Sequence, residues 1–128
     1  MYSGEFLMSE TLSAKELLDE KLAQDEILRN VTFEHGFHFT TEGGGYTGVT
    51  AVSLSDFALK LQTIDKNLIL FHYSRGDFQR WIEDTLGDKE LADRMCFIKI
   101  NLSGERLRKE LLKIVQKRIS ELRSPLVI

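Results

Sequence analysis

Between Phe71 and Ala92 the chain twice breaks an apolar pattern with glycine followed by aspartate. Arg75-Gly76-Asp77 separates Leu68-Ile69-Leu70-Phe71-His72-Tyr73 from Phe78-Gln79-Arg80-Trp81-Ile82, and Gly87-Asp88 then precedes Lys89-Glu90-Leu91-Ala92. Glycine allows the left-handed turn that ends a helix, and aspartate caps the helix that follows. Junctions this close together permit only short elements that turn sharply on one another. Phe78, Trp81, Ile82 and Leu86 recur at i, i+3, i+4 and i+8, which predicts a helix with one apolar side, stopped by Gly87. Trp81, the only tryptophan, is a core anchor on this spacing, with an indole N–H that needs an internal acceptor; stacking on a ligand is the alternative. The composition of Leu68–Tyr73 suits a strand, but a cap at Asp65 and the spacing of Leu68, Phe71 and His72 favour a short helix.

The flanking sequence supplies the other elements. Ser13-Ala14-Lys15-Glu16 is a capping box, with Leu12 and Leu17 at the staple positions. It opens a helix from about Ala14 to Arg29, whose apolar positions are Leu17, Leu18, Leu22, Ile27 and Leu28. Phe37 and Phe39 alternate with polar neighbours, Glu42-Gly43-Gly44-Gly45 reads as a turn, and Tyr46–Val52 reads as a return strand. Such a hairpin is marginal alone, so helices must cover one face. Ser53-Leu54-Ser55-Asp56 is a second capping box, stapled by Val52 and Phe57, before a helix ending near Thr63. The alternation from Phe97 to Leu102 fits a short third strand or a linker. Ser103 caps a long final helix from about Gly104 to Leu122 with the stripe Leu107, Leu111, Ile114, Val115, Ile119 and Leu122. Ser124-Pro125 ends it, before an apolar Leu126-Val127-Ile128.

The expected fold class is α+β: a small antiparallel β-hairpin, with three strands as the upper limit, packed by five to six helices and closing on a long C-terminal helix. Residues 1–12 are expected to be a flexible leader, with Met8 as an alternative start, and 13–128 a single compact domain. At 128 residues with 42% apolar and 29% charged composition, the chain has enough material for one core without staples. Its single Cys96 excludes an internal disulfide and, in the run Met95-Cys96-Phe97-Ile98, reads as a buried inert thiol. Neither a signal-peptide pattern nor an apolar run of about 20 residues is present. A reducing, cytoplasmic setting is therefore expected, with no membrane association.

The net charge of −3 argues against general affinity for nucleic acid, but the charge is unevenly distributed. Residues 1–30 hold seven acids against three bases, and residues 103–128 seven bases against three acids. Two terminal helices lying side by side would account for this, as would a basic face for a partner.

The chain resembles a family of small, mostly archaeal domains of unknown function. The resemblance rests on Phe37-His38-Phe39, Tyr46-Thr47-Gly48, Ala51–Phe57, Phe71–Ile82, Gly87–Ala92 and Leu107-Arg108, and covers roughly residues 33–122. It implies a single unit of prokaryotic, archaeal origin and carries no activity, cofactor or site residue.

Several residues remain as site candidates. His72, Arg75 and Asp77 form a polar trio in which a His–Asp pair could act as general base and Arg75 could hold an anion. No nucleophile accompanies them, because Ser74 cannot reach His72 from a helix or a strand. The favoured reading is architectural: Gly76 makes the turn, Asp77 satisfies free amides at a helix start, and His72 is a core residue bonded to that turn. Gly43-Gly44-Gly45 lacks the phosphate-loop pattern, and it precedes a strand. On a strand, His35 and His38 would fall on opposite faces, so no metal site and no cofactor are expected. Glu105–Lys109 and Glu110–Lys113 read as helix-surface pairs on the basic final helix.

The leading expectation is a non-catalytic binding or regulatory module acting through protein contacts, either with a partner or by self-association. Arg80, Arg108, Lys113 and Lys117 are the candidate interface. An enzyme or small-ligand sensor built on His72, Arg75 and Asp77 is the second reading, and nucleic-acid binding by the last helix the third. The stripe of the last helix could also form a dimer seam, although burial within the chain is simpler.

Overall fold

Five of the six described helices begin where the sequence provides a capping side chain. The structure is a computed structural model that describes residues 13–99 and 101–124. In order it contains α1 (Ala14–Leu28), a 3-10 turn (Phe33–His35), β1 (Phe37–Thr40), β2 (Tyr46–Ala51), α2 (Leu54–Leu61), α3 (Lys66–Ser74), α4 (Asp77–Arg80), a π-helical turn (Trp81–Leu86), α5 (Lys89–Met95) and α6 (Gly104–Arg123). The fold is α+β, with a two-stranded antiparallel sheet and a long C-terminal helix. The leader expected at 1–12, the staple at Leu12 and the apolar end after Ser124 lie outside the described residues.

Both arms of the first capping box are made: the Ser13 hydroxyl accepts from the Glu16 amide at 3.1 Å, and the Glu16 carboxylate accepts from the Ser13 amide at 2.9 Å. These bonds hold the Glu16 carboxyl below its usual range. At the second box only Ser53 caps as expected, while Asp56 reaches one residue further back and accepts from the Val52 amide. Asp65, Asp88 and Ser103 cap α3, α5 and α6. The segment 68–73 is therefore helical.

Only part of the apolar pattern of α1 is covered. Ile27 is buried, but Leu18 and Leu22 are more than half exposed. At about 100° per residue, Leu17 and Leu28 share a side of the helix, whereas Leu18 and Leu22 lie on another, which nothing described covers.

In the sheet Phe37 pairs with Ala51, His38 with Thr50 and Thr40 with Tyr46, so β2 carries extra residues between the last two pairs. Gly48 takes the left-handed conformation there (φ +89°), and the Thr47 hydroxyl donates to the Phe39 carbonyl at 2.7 Å where the ladder is interrupted. Phe37 and Phe39 face inward, and Phe57 of α2, Phe78 of α4 and Trp81 close over them. The ring centroids of Phe37–Phe78, Phe57–Phe78 and Phe57–Trp81 lie 5.0–5.6 Å apart. The Trp81 indole N–H donates to the His35 carbonyl at 2.8 Å, which supplies the acceptor it needs. Gly87 ends the helical run at φ +85°, and its amide shares the Ile82 carbonyl with that of Asp88.

No third strand forms among the described residues of 97–102. The amides of Cys96, Phe97 and Ile98 continue to bond carbonyls three or four residues back, so α5 unwinds through turns rather than extending. Ile98 enters the core as a consequence, whereas Cys96 is exposed, contrary to the buried thiol expected from its apolar neighbours. The buried Tyr73 hydroxyl donates to the Met95 carbonyl at 2.6 Å, and its burial pushes the phenol pKa upward.

α6 lies across α2, α3 and α5. Leu107, Leu111, Val115, Ile119 and Leu122 are buried within the chain, and Ile114 is half-buried, so the stripe serves the domain's own core. At its start a Cβ on Gly104 would stand 2.8 Å from Lys66 Cβ, so α3 and α6 touch backbone to side chain there. Asp88 is 1% exposed, caps α5, and receives Arg118 of α6 through Nε at 2.9 Å and Nη2 at 3.1 Å. Arg118 also reaches Glu121, which Arg94 of α5 grips at 2.9 and 3.1 Å. The terminal helices α1 and α6 do touch, but no ion pair joins them among the described residues.

Removing Arg118 would leave a buried carboxylate unpaired. Arg118→Ala should lower the unfolding free energy by about 3–5 kcal/mol, read from urea midpoints. The hydrogen bond from Arg94, aided by Arg118, holds the Glu121 carboxyl below its ordinary 4.5. A group depressed in the folded state stabilises fully above its unfolded value and loses that contribution as pH falls through the folded one. Stability should therefore decline below pH 4.5, and Glu121→Gln should flatten that part of a stability–pH curve.

Candidate functional site

α3 ends at Ser74, Gly76 turns the chain at φ +76°, and α4 begins at Asp77, which brings His72, Arg75 and Asp77 together. His72 Nδ1 lies 2.8 Å from Asp77 Oδ2, and Nε2 lies 3.0 Å from the Thr40 amide nitrogen and 3.1 Å from the Thr40 carbonyl oxygen. Arg75 Nε lies 3.5 Å from the same carboxylate oxygen, Arg80 Nη2 bonds the other, and Arg80 Nη1 donates to the Arg75 carbonyl at 2.9 Å. The Arg75 guanidinium covers the Phe71 ring at 5.0 Å. Asp77 thus spends its oxygens on three side chains and does not cap α4, for which no side-chain cap is formed.

Chemically this is a brace. His72 is 3% exposed, meets Phe37 edge-on at 5.0 Å, and has both ring nitrogens engaged. The cavity beside it is lined by Phe71, Ser74, Arg75 and Glu42 but by neither His72 nor Asp77. Ser74 faces solvent. Among the described residues no group of three or more His, Cys, Asp or Glu side chains converges as metal ligands. His35 Nδ1 is bonded to Thr32, and His38 Nδ1 to Thr50, each at 2.8 Å.

The candidate interface residues separate into two kinds. Arg80 is tied to Asp77, and Arg108 lies against α2, donating to the Leu61 carbonyl and to Glu105. Lys113 and Lys117 are exposed on the solvent side of α6. Arg106 and Lys109, which the sequence offered only as part of a basic helix, share that side, because positions 106, 109, 113 and 117 recur every three or four residues. Among the described residues none of these four makes an ion pair: Glu105 takes Arg108 rather than Lys109, and Glu110 does not take Lys113. The result is an exposed cationic ridge opposite the buried stripe.

At the start of the ridge, α5 and α6 diverge around a cleft of about 360 Å³. Ile98, Leu102 and Ile114 form its apolar part, with Phe97, Lys99 and Arg106 on the rim. Phe97 is 87% exposed. Nothing in the alternation of Phe97–Leu102 distinguished this phenylalanine from a core residue.

Residues 73–127 match the model of a family of unknown function, DUF5752. The match runs from the end of α3 through α6, including the ridge and the cleft, and begins after His72; it assigns no activity. No curated protein and no solved structure matches the chain. No helix among the described residues is long and apolar enough to cross a membrane.

Replacing the ring of His72 with one that cannot bond tests the brace. His72→Phe should cost on the order of 1–3 kcal/mol, because the Thr40 amide and Asp77 lose a buried partner. Faster hydrogen exchange at the Thr40 amide, with the rest of the pattern retained, is the accompanying change.

Proposed function

We propose that the chain is a non-catalytic docking module that acts through protein contacts in the cytoplasm, and that the cationic face of α6 receives an acidic segment of a partner. The observation that carries this reading is that Arg106, Lys109, Lys113 and Lys117 stand together, exposed and without ion pairs among the described residues, on a chain whose net charge is −3. Every other arginine of α4–α6 is held by a carboxylate or a protein oxygen. Charges left unsatisfied within a fold steer and orient association. The enzyme or sensor reading has less support, because both nitrogens of His72 are occupied and the neighbouring cavity does not include it. A long phosphate backbone would run past the ridge onto the rest of a chain whose net charge is −3, which favours a short acidic protein segment over nucleic acid.

Fluorescence anisotropy with a labelled Glu-rich peptide and a labelled mixed-sequence oligonucleotide of similar length distinguishes these readings. The peptide should bind at low salt, and Lys113→Glu/Lys117→Glu should weaken it about tenfold, equivalent to about 1.4 kcal/mol, with an unchanged circular dichroism spectrum. Tighter binding of the oligonucleotide would transfer the ridge to nucleic acid. Absence of peptide binding would refute the docking reading.

A further inference from the structure

We infer that the cleft between the end of α5 and the start of α6 is the anchor pocket of this docking surface, and that it takes an apolar side chain at one end of the partner's acidic segment. The inference rests on the docking reading and adds what would make it selective.

Phe97 is a large apolar side chain that the fold leaves 87% exposed, although its backbone is fixed by a hydrogen bond to the Arg94 carbonyl at 3.2 Å. It stands beside Ile98, Leu102 and Ile114 in a notch of about 360 Å³, room for an inserted side chain rather than a whole helix. A fixed, uncovered aromatic next to a partly covered apolar floor is the arrangement in which buried anchors form at interfaces.

Charge on the rim narrows the occupant. Arg94 is committed to Glu90 and Glu121, so its charge is balanced. Lys99 and Arg106 have no ion-pair partner among the described residues, and Glu110 is the one carboxylate on the rim. The surplus is cationic and selects an apolar group with acidic neighbours.

Arg106 belongs to both features: it lines the cleft and begins the ridge. From there to Lys117 is eleven residues of α6, or about 17 Å at a helical rise of about 1.5 Å per residue. The partner segment should therefore carry its apolar anchor at one end and its acidic residues along the following 17 Å or so. A second copy of this chain is the competing occupant, since Leu18 and Leu22 of α1 are exposed beside Glu20, but it presents a mixed-sign surface: Asp19 and Asp25 there are already paired with Lys15 and Lys21.

The test uses the full chain and labelled Glu-rich peptides of about 16 residues, long enough to span ridge and cleft. One set ends in a leucine pair, placed at either terminus, and a control has alanine in its place. One leucine peptide should bind about tenfold tighter than the control. Phe97→Ala, which removes an exposed side chain, should erase that preference while leaving the salt-dependent affinity for the control unchanged. Lys113→Glu/Lys117→Glu should weaken both. Equal binding of leucine and alanine peptides would overturn the anchor pocket and leave the docking reading standing, whereas no binding of either would overturn both. Sedimentation showing self-association that Phe97→Ala abolishes would give the cleft to a second copy and overturn the partner assignment.

Discussion

A two-stranded hairpin has one face to bury and no further strands to help bury it. Here that face carries Phe37, Phe39 and Ala51, all inside, and the helices are arranged to cover it. Phe57 comes from α2, directly after the hairpin, whereas Phe78 and Trp81 come from the helical run that follows Gly76. His72 seals the last position by taking the Thr40 amide. The tight turn at Gly76, the aromatic cluster and the His72–Asp77 brace are thus one solution to covering a small sheet. The polar trio most suggestive of chemistry is consumed in that solution, and the surface with unsatisfied chemistry lies elsewhere, on α6.

What was legible in the sequence was mainly local. Ser13, Asp65, Asp88 and Ser103 announce helix starts because a side-chain oxygen bonding an amide two or three residues on needs no tertiary context. The inward Phe37 and Phe39 and the stripe of α6 follow from strand and helix periodicity. Side-chain destinations across the fold were not legible. Arg108 and Lys113 look alike in a basic helix, yet Arg108 turns onto α2 because the Leu61 carbonyl lies within its reach, while Lys113 meets solvent. Cys96 reads as core from its neighbours, but it and Phe97 fall where α5 unwinds and only Ile98 turns inward. Leu18 and Leu22 show the same limit, since an apolar pattern on α1 does not say which of two sides the rest of the chain will cover.

The candidate site shows this division most clearly. That His72, Arg75 and Asp77 would meet was suggested by the glycine turn between them. That Asp77 would serve three side chains rather than the start of its own helix depended on Arg80 folding back over it. The cleft depends on how far α5 and α6 diverge, a distance that no local pattern encodes.

The pairing of Asp88 with Arg118 bears on motion as well as on strength. Asp88 starts α5 and Arg118 lies about three-quarters of the way along α6, so peeling α6 away would strand a carboxylate among apolar side chains. Local opening of that kind is costly, and α6 is expected to exchange its amides only when the domain as a whole unfolds. The contact of Gly104 with Lys66 fixes the other end of the same helix. The charged ridge is therefore carried on a rigid part of the molecule. On the proposed docking reading, recognition there becomes a matter of rigid spacing, and any adjustment of shape falls to the incoming chain.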